Sequence, residues 1–155
     1  MTYSILGHDA SKGDLGVAVQ SKFPGVGSLV PYGEAEVGVV ATQGFGNPRH
    51  GSAGLTLLRC GSTPRQAVEV LLNDDSLGHK RQFALVDKEG TVAAHTGTDL
   101  HTWDGWSGSA AGRGCVAPPT RQRIAGPVYH RRLVPPTRAP SSIVRRVLRE
   151  SLRTS

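Results

Sequence analysis

Apolar and polar positions divide the first part of the chain into short elements. Thr2 to Gly7 is an apolar-rich strand, HDASKGD is a turn, and in LGVAVQSK the residues Leu15, Val17 and Val19 alternate with small or polar neighbours. Together these segments predict an antiparallel hairpin. A glycine-rich loop, PGVGSLVPYGEAE, leads to VGVVATQ, a continuous apolar run that reads as a buried strand ending in GFGNP. Arg49 to Cys60 predicts a helix weakened by Gly51 and Gly54 and stopped at Gly61. The next helix has sharper signals. Thr63 is its N-cap, Pro64 its first helical residue and Gln66 the partner in a capping box, and Ala67/Leu71 and Val68/Leu72 recur at four-residue spacing. QFALVD and TVAAH follow as two strands joined by a turn through Lys88, Glu89 and Gly90.

Strands and helices therefore come in blocks rather than in alternation. That order favours an α+β layered architecture over a doubly wound parallel sheet. At 155 residues the chain suits one domain, and it holds no apolar run long enough to cross a membrane. Its start lacks the basic and apolar regions of a secretory signal. Cys60 and Cys115 make neither a disulfide framework nor a metal-ligand cluster, so the cytoplasm is the expected compartment.

Charge changes the picture near Gly112. Residues 1–112 hold eight Lys and Arg against eleven Asp and Glu, a balance of −3; residues 113–155 hold ten Arg against Glu150 alone, a balance of +9. Six of the ten prolines lie in the same basic segment, where they remove amide donors and bar regular helix or central strand. The chain thus divides into a patterned domain, 1–112, and an Arg/Pro-rich tail, 113–155. In the tail only SSIVRRVLRESL predicts an element, a short helix over 142–152 with Ile143, Val144, Val147, Leu148 and Leu152 opposite Arg145, Arg149 and Arg153.

Four segments, TYSILGHD, GDLGVAVQSKFPGVGS, VGVVATQGFGNP and VAAHTG, occur in order across residues 2–112 and resemble successive signatures of domain-of-unknown-function family 1028. That family is similar to the N-terminal-nucleophile (Ntn) hydrolases, so the resemblance implies an αββα sandwich, here incomplete. After AHTG the family pattern would continue into a further helix and strands, whereas this chain turns to arginine and proline. Out-of-register translation of a GC-rich gene would give such a composition. A nucleic-acid-binding arm is the weaker reading of the tail, because neither aromatic interleaving nor a binding module accompanies the arginines.

The resemblance gives the residue behind Met1 a chemical meaning. Removal of Met1 would leave Thr2 with a hydroxyl nucleophile and a free α-amine of reference pKa about 8, able to take the hydroxyl proton directly or through water. The expected activity is hydrolysis of a small-molecule or peptide amide; a non-catalytic binding or assembly domain of the same fold is the alternative, and self-association is left open. Gln20 falls where the comparison expects an acid that orients the amine, and an amide there supplies no charge. Lys22, two residues on, is the candidate to lower the amine pKa or to meet an anionic substrate. The backbone amides of Gly44 and Phe45 are the candidate oxyanion hole. Each has a structural alternative: Thr2 as a plain strand residue, Gln20 and Lys22 as solvent-facing positions, and Gly44 and Gly46 as a tight turn. His8, His50 and His95 are not at ligand spacing, although His95 could face the cleft. No cofactor or metal motif is present in the sequence.

Overall fold

A computed structural model describes residues 2–101, 106–110 and 113–117. The expected tail helix over 142–152 lies outside the described residues. The hairpin forms as β1 (Thr2–Asp9) and β2 (Asp14–Ser21), with Thr2 opposite Ser21 and Asp9 opposite Asp14. The buried run forms β4 (Gly38–Gly44), preceded by a strand within the glycine-rich loop, β3 (Pro31–Glu34). Helices α1 (Pro48–Arg59) and α2 (Pro64–Asn73) come next, then β5 (Arg81–Asp87) and β6 (Val92–Thr96). One turn of helix, α3 (Thr98–His101), leads to β7 (Trp106–Ala110) and β8 (Arg113–Ala117).

The strands form two antiparallel sheets, ordered β2-β1-β8-β7 and β3-β4-β5-β6. The β8 pairing with β1 runs from Arg113 to Val116, so regular structure continues past the compositional break near Gly112. The sheets stack through one apolar cluster. Leu6 and the partly buried Leu15, Val17 and Val19 meet Val39, Ala41, Ala84 and Val86 of the second sheet. The intervening positions of β4 and β5, Val40, Phe83 and Leu85, face the other way, onto Leu55, Leu58, Ala67 and Leu71 of α1 and α2. This period-two division explains why VGVVATQ and QFALVD are nearly continuous apolar runs: both faces of these central strands are covered. The result is a mixed α+β fold in which, among the described residues, the helical layer covers one of the two sheets.

Local chemistry sets the helix boundaries. At α2, the Thr63 hydroxyl accepts the Gln66 amide proton and the Gln66 side chain accepts the Thr63 amide proton, so the expected capping box is present with Pro64 at the first helical position. At α1, Asn47 caps by accepting the Arg49 amide. Gly51 and Gly54 lower helix propensity but permit close packing on the sheet. A methyl group at Gly51 would lie 2.2 Å from Tyr32 Cδ2, and one at Gly54 3.1 Å from Leu85 Cδ2.

Candidate functional site

The stacking register places the even residues of β1 and the odd residues of β2 between the sheets, since Leu6 and Leu15, Val17 and Val19 lie in the inter-sheet cluster. Thr2 and Ser21 extend those two series to the end of the hairpin. There Thr2 Oγ1 and Ser21 Oγ are 2.9 Å apart, and Ser21 Oγ accepts the Phe23 amide proton at 3.1 Å. Ser21 was not a sequence candidate, although its signal was present: it continues the inward alternation of Leu15, Val17 and Val19.

Below Thr2, a buried polar network replaces the apolar core. Ser4 Oγ donates to Gln43 Oε1 at 2.6 Å, and the Gln43 Nε2 protons go to the Thr2 carbonyl at 3.2 Å and to Gln82 Oε1 at 2.8 Å. Gln82 in turn donates to Thr96 Oγ1 at 3.2 Å. Burial of these amides is tolerated because each is hydrogen-bonded. The network ties the N-terminal strand to β4, β5 and β6.

Thr2, Thr42 and Gln43 form the polar side of a cavity of about 320 Å³ at this end of the stack. Phe23, Val26, Leu29 and Val30 form its apolar wall, and Gly44, Gly46 and Pro48 its rim. Thr42 is buried and its hydroxyl donates to the Asn47 carbonyl at 3.3 Å. Phe23 and Leu29 are 58% and 43% exposed, which leaves the apolar wall open to an incoming group.

A second cluster fixes the rim from behind. Asp75, after α2, accepts from Arg81 Nε at 2.8 Å, His50 Nε2 at 3.0 Å, Asn47 Nδ2 at 3.2 Å and the Leu77 amide at 2.9 Å. The Arg81 hydrogen bonds hold the Asp75 carboxyl far below the usual carboxylate range, against the opposing effect of burial. Arg81 also donates to the Phe45 carbonyl, with its guanidinium 5.4 Å from the Phe45 ring centroid. Burial lowers the pKa of His50, while Asp75 pulls the other way and Arg81 reinforces the lowering. A neutral His50 that donates from Nε2 to Asp75 presents Nδ1 as an acceptor, and that atom is buried with no hydrogen-bond partner. Residues 25 to 36 positions apart in sequence meet here, a separation at which no local motif announces them.

Of the sequence candidates, Thr2 and Gly44 line the same cavity. Gly44 adopts φ 76°, and a methyl group there would lie 3.2 Å from the Lys80 carbonyl, so the turn at this position requires glycine. The Phe45 amide proton goes to the Lys80 carbonyl at 3.1 Å, which removes it from the cavity. Gln20 pairs with Tyr3 and accepts its phenolic proton, on the face of the sheet opposite to Thr2. Lys22 is exposed and is not a lining residue. His95 faces the helical layer rather than the cleft: it pairs with Phe83, its ring centroid lies 5.4 Å from that of Phe83, and Nε2 is 2.9 Å from the Gly78 carbonyl. Among the described residues no group of three His, Cys, Asp or Glu is placed to hold a metal, and no helix is long and apolar enough to cross a membrane.

The model of a family of unknown function, DUF1028, matches residues 2–118. No functionally curated protein matches the chain. A crystal structure of a DUF1028 protein from Silicibacter pomeroyi superposes with a TM-score of 0.80 at 28% sequence identity. The likeness covers 92% of this chain and 66% of that one, so the chain spans a little under two thirds of its relative's length.

Proposed function

The chain belongs to the family of unknown function DUF1028, and from the position of Thr2 we propose that it is an Ntn-type amide hydrolase acting on a small-molecule or peptide amide in the cytoplasm. The observation that carries the reading is that the first residue of β1 lines a cavity at the end of two stacked sheets, with its hydroxyl 2.9 Å from a second hydroxyl. Two sheets with helices over one of them are also what an αββα sandwich lacking its second helical layer would present.

In the proposed reaction, a chain processed to begin at Thr2 uses its α-amine to accept the Thr2 hydroxyl proton as Oγ1 attacks the amide carbonyl carbon. The C–N bond then breaks, the departing nitrogen takes that proton, and the acyl group remains as an ester on Oγ1. Water attacks the ester carbonyl, its proton passes through the α-amine to Oγ1, and a carboxylic acid leaves. The hydrogen bond from Gln43 to the Thr2 carbonyl holds the nucleophile's backbone during both steps.

A second reading, a non-catalytic binding domain, is favoured by the engagement of the Phe45 amide with Lys80 and by the outward position of Gln20. Mass spectrometry of purified protein, combined with a hydroxyl-directed acylating probe, separates the two. Hydrolysis requires loss of Met1 and acylation of Thr2 ahead of every other hydroxyl, and Thr2→Ala, which still permits Met1 removal, abolishes the acylation and the turnover. Intact Met1 in fully folded protein, or hydrolysis that survives Thr2→Ala, leaves the binding-domain reading in place.

A further inference from the structure

The walls of the cavity carry information about the group it admits. None of its described lining side chains is charged, and the apolar ones that share it with Thr2 include Phe23, Val26, Leu29 and Val30. The polar atoms on the Thr2 side are engaged within the protein. Both Gln43 Nε2 protons have acceptors, Gln43 Oε1 has the Ser4 donor, and the Thr42 hydroxyl donates to Asn47. The nearest buried charges, Asp75 and Arg81, neutralise each other behind Phe45. Apart from the Thr2 α-amine, which the scissile amide itself would occupy, a charged group entering the cavity would lose its water and find no counter-charge among the lining side chains, a large penalty, whereas an aliphatic group would find apolar contact and leave the network undisturbed. At about 320 Å³ the space is at the small end of ligand sites.

We propose that this cavity is a specificity pocket for an uncharged aliphatic acyl chain, the part of the substrate on the carbonyl side of the amide, with the amide itself left at Thr2. The assignment rests on the hydrolase reading for the position of the scissile bond and on the cavity alone for the chemistry of the chain. It excludes the anionic substrate that Lys22 suggested from the sequence. Chain length then sets affinity: each methylene removed from water tightens binding about fourfold until the cavity is full.

The test uses full-length Thr2→Ala protein, which binds without turnover, and measures amide chemical shifts of the cavity residues on titration with hexanamide, butanamide, adipamic acid and 6-aminohexanamide. Hexanamide is expected to shift the signals of Val26, Val30 and Gly44 saturably and to bind roughly fifteenfold tighter than butanamide, with both charged analogues at least tenfold weaker than hexanamide. Phe23→Asp, an exposed substitution that spares the core, should invert the order in favour of 6-aminohexanamide. Equal or tighter binding of adipamic acid, or no saturable shift at the cavity, overturns the proposal. Failure of the two readings is distinguishable. Hexanamide bound in the cavity while wild type cleaves no amide removes the hydrolase and keeps the pocket; cleavage of charged amides in preference to neutral ones does the reverse.

Discussion

Gln43 and Gln82 are direct cross-strand partners on β4 and β5, and their side-chain amides meet at 2.8 Å inside the protein, both almost fully buried. They occupy the positions in their strands that elsewhere hold Val39, Ala41, Ala84 and Val86, so the inter-sheet core becomes polar where it approaches Thr2. Gln43 reaches the other sheet through Ser4 and the Thr2 carbonyl.

Gln43→Ala therefore leaves the Ser4 hydroxyl and one face of Gln82 without these partners and opens a cavity at the same time. Unsatisfied buried groups and lost packing together predict a loss of roughly 2–4 kcal/mol in global stability. Urea denaturation measures it. A loss under about 0.5 kcal/mol would mean that the network does not connect the sheets.

Much of this architecture was legible along the chain. The hairpin, the two helices with their caps and the central strands all follow from short-range pattern, because apolar period and capping chemistry are local. Ser21 was legible in principle from the Leu15–Val17–Val19 series. The elements that were missed lack that local signal. β3 lies in PYGE, and β7 and β8 lie in glycine-rich WSGSA and RGCVA; these strands exist through ladders to β4 and β1 rather than through their own propensity. The Asp75 cluster was illegible for the same reason, since Asn47, His50, Asp75 and Arg81 converge only once α1, α2 and β5 have packed.

Breaking that cluster from one side should be costly. Asp75→Asn leaves the Arg81 guanidinium, itself only 8% exposed, without its carboxylate, and removal of one partner of a buried pair predicts a loss of about 3–5 kcal/mol. Exchange of the Gly44–Asn47 backbone amides should accelerate along with the drop in melting temperature, because Arg81 and Asn47 hold that loop. Hydrogen exchange that is unchanged at Phe45 would show that the loop is fixed by other contacts.

Acid should act on the cluster in two stages. His50 has a lowered pKa when folded, so the unfolded chain binds its proton more readily; this contribution to stability is complete above the unfolded value of about 6.5 and declines as pH falls below it. Asp75 is also lowered, and its contribution is complete above about 3.9 and declines below that. Denaturation midpoints measured from pH 8 to pH 3 should begin to fall as pH drops below about 6.5, before the carboxylate range is reached. His50→Gln should flatten that first segment and leave the lower one. A first segment as steep in the variant as in wild type would assign the titration to another group.

Helix propensity and packing give opposite signs at Gly51. Alanine gains about 1 kcal/mol in an exposed helix, yet here its methyl group would stand 2.2–2.4 Å from three ring atoms of Tyr32, which would have to leave its place against the helix. Overpacking of this kind costs about 1–3 kcal/mol and decides the sign. Gly51→Ala should lower the melting temperature, while Ser52→Ala, one position along on the exposed face, should change it little. A rise in stability for Gly51→Ala would show that Tyr32 moves freely.

The contact between Thr2 and Ser21 predicts which β2 residue governs reactivity at Thr2. Ser21 Oγ is held by the Phe23 amide and meets Thr2 Oγ1 on the inner face of the sheet, whereas Gln20 is engaged with Tyr3 on the outer face. Ser21→Ala should slow acylation of Thr2 by roughly tenfold to a hundredfold through loss of orientation, and Ser21→Thr, which keeps the hydroxyl, should restore most of the rate. Gln20→Asp should leave the acylation rate within about twofold of wild type, because a charge on the outer face is screened by solvent. Rates are compared at equal folded fraction, checked by circular dichroism, so that a purely structural effect of Ser21 is separated from a positioning one. A tenfold acceleration in Gln20→Asp, with no change in Ser21→Ala, would return the orienting role to Gln20 and remove it from Ser21.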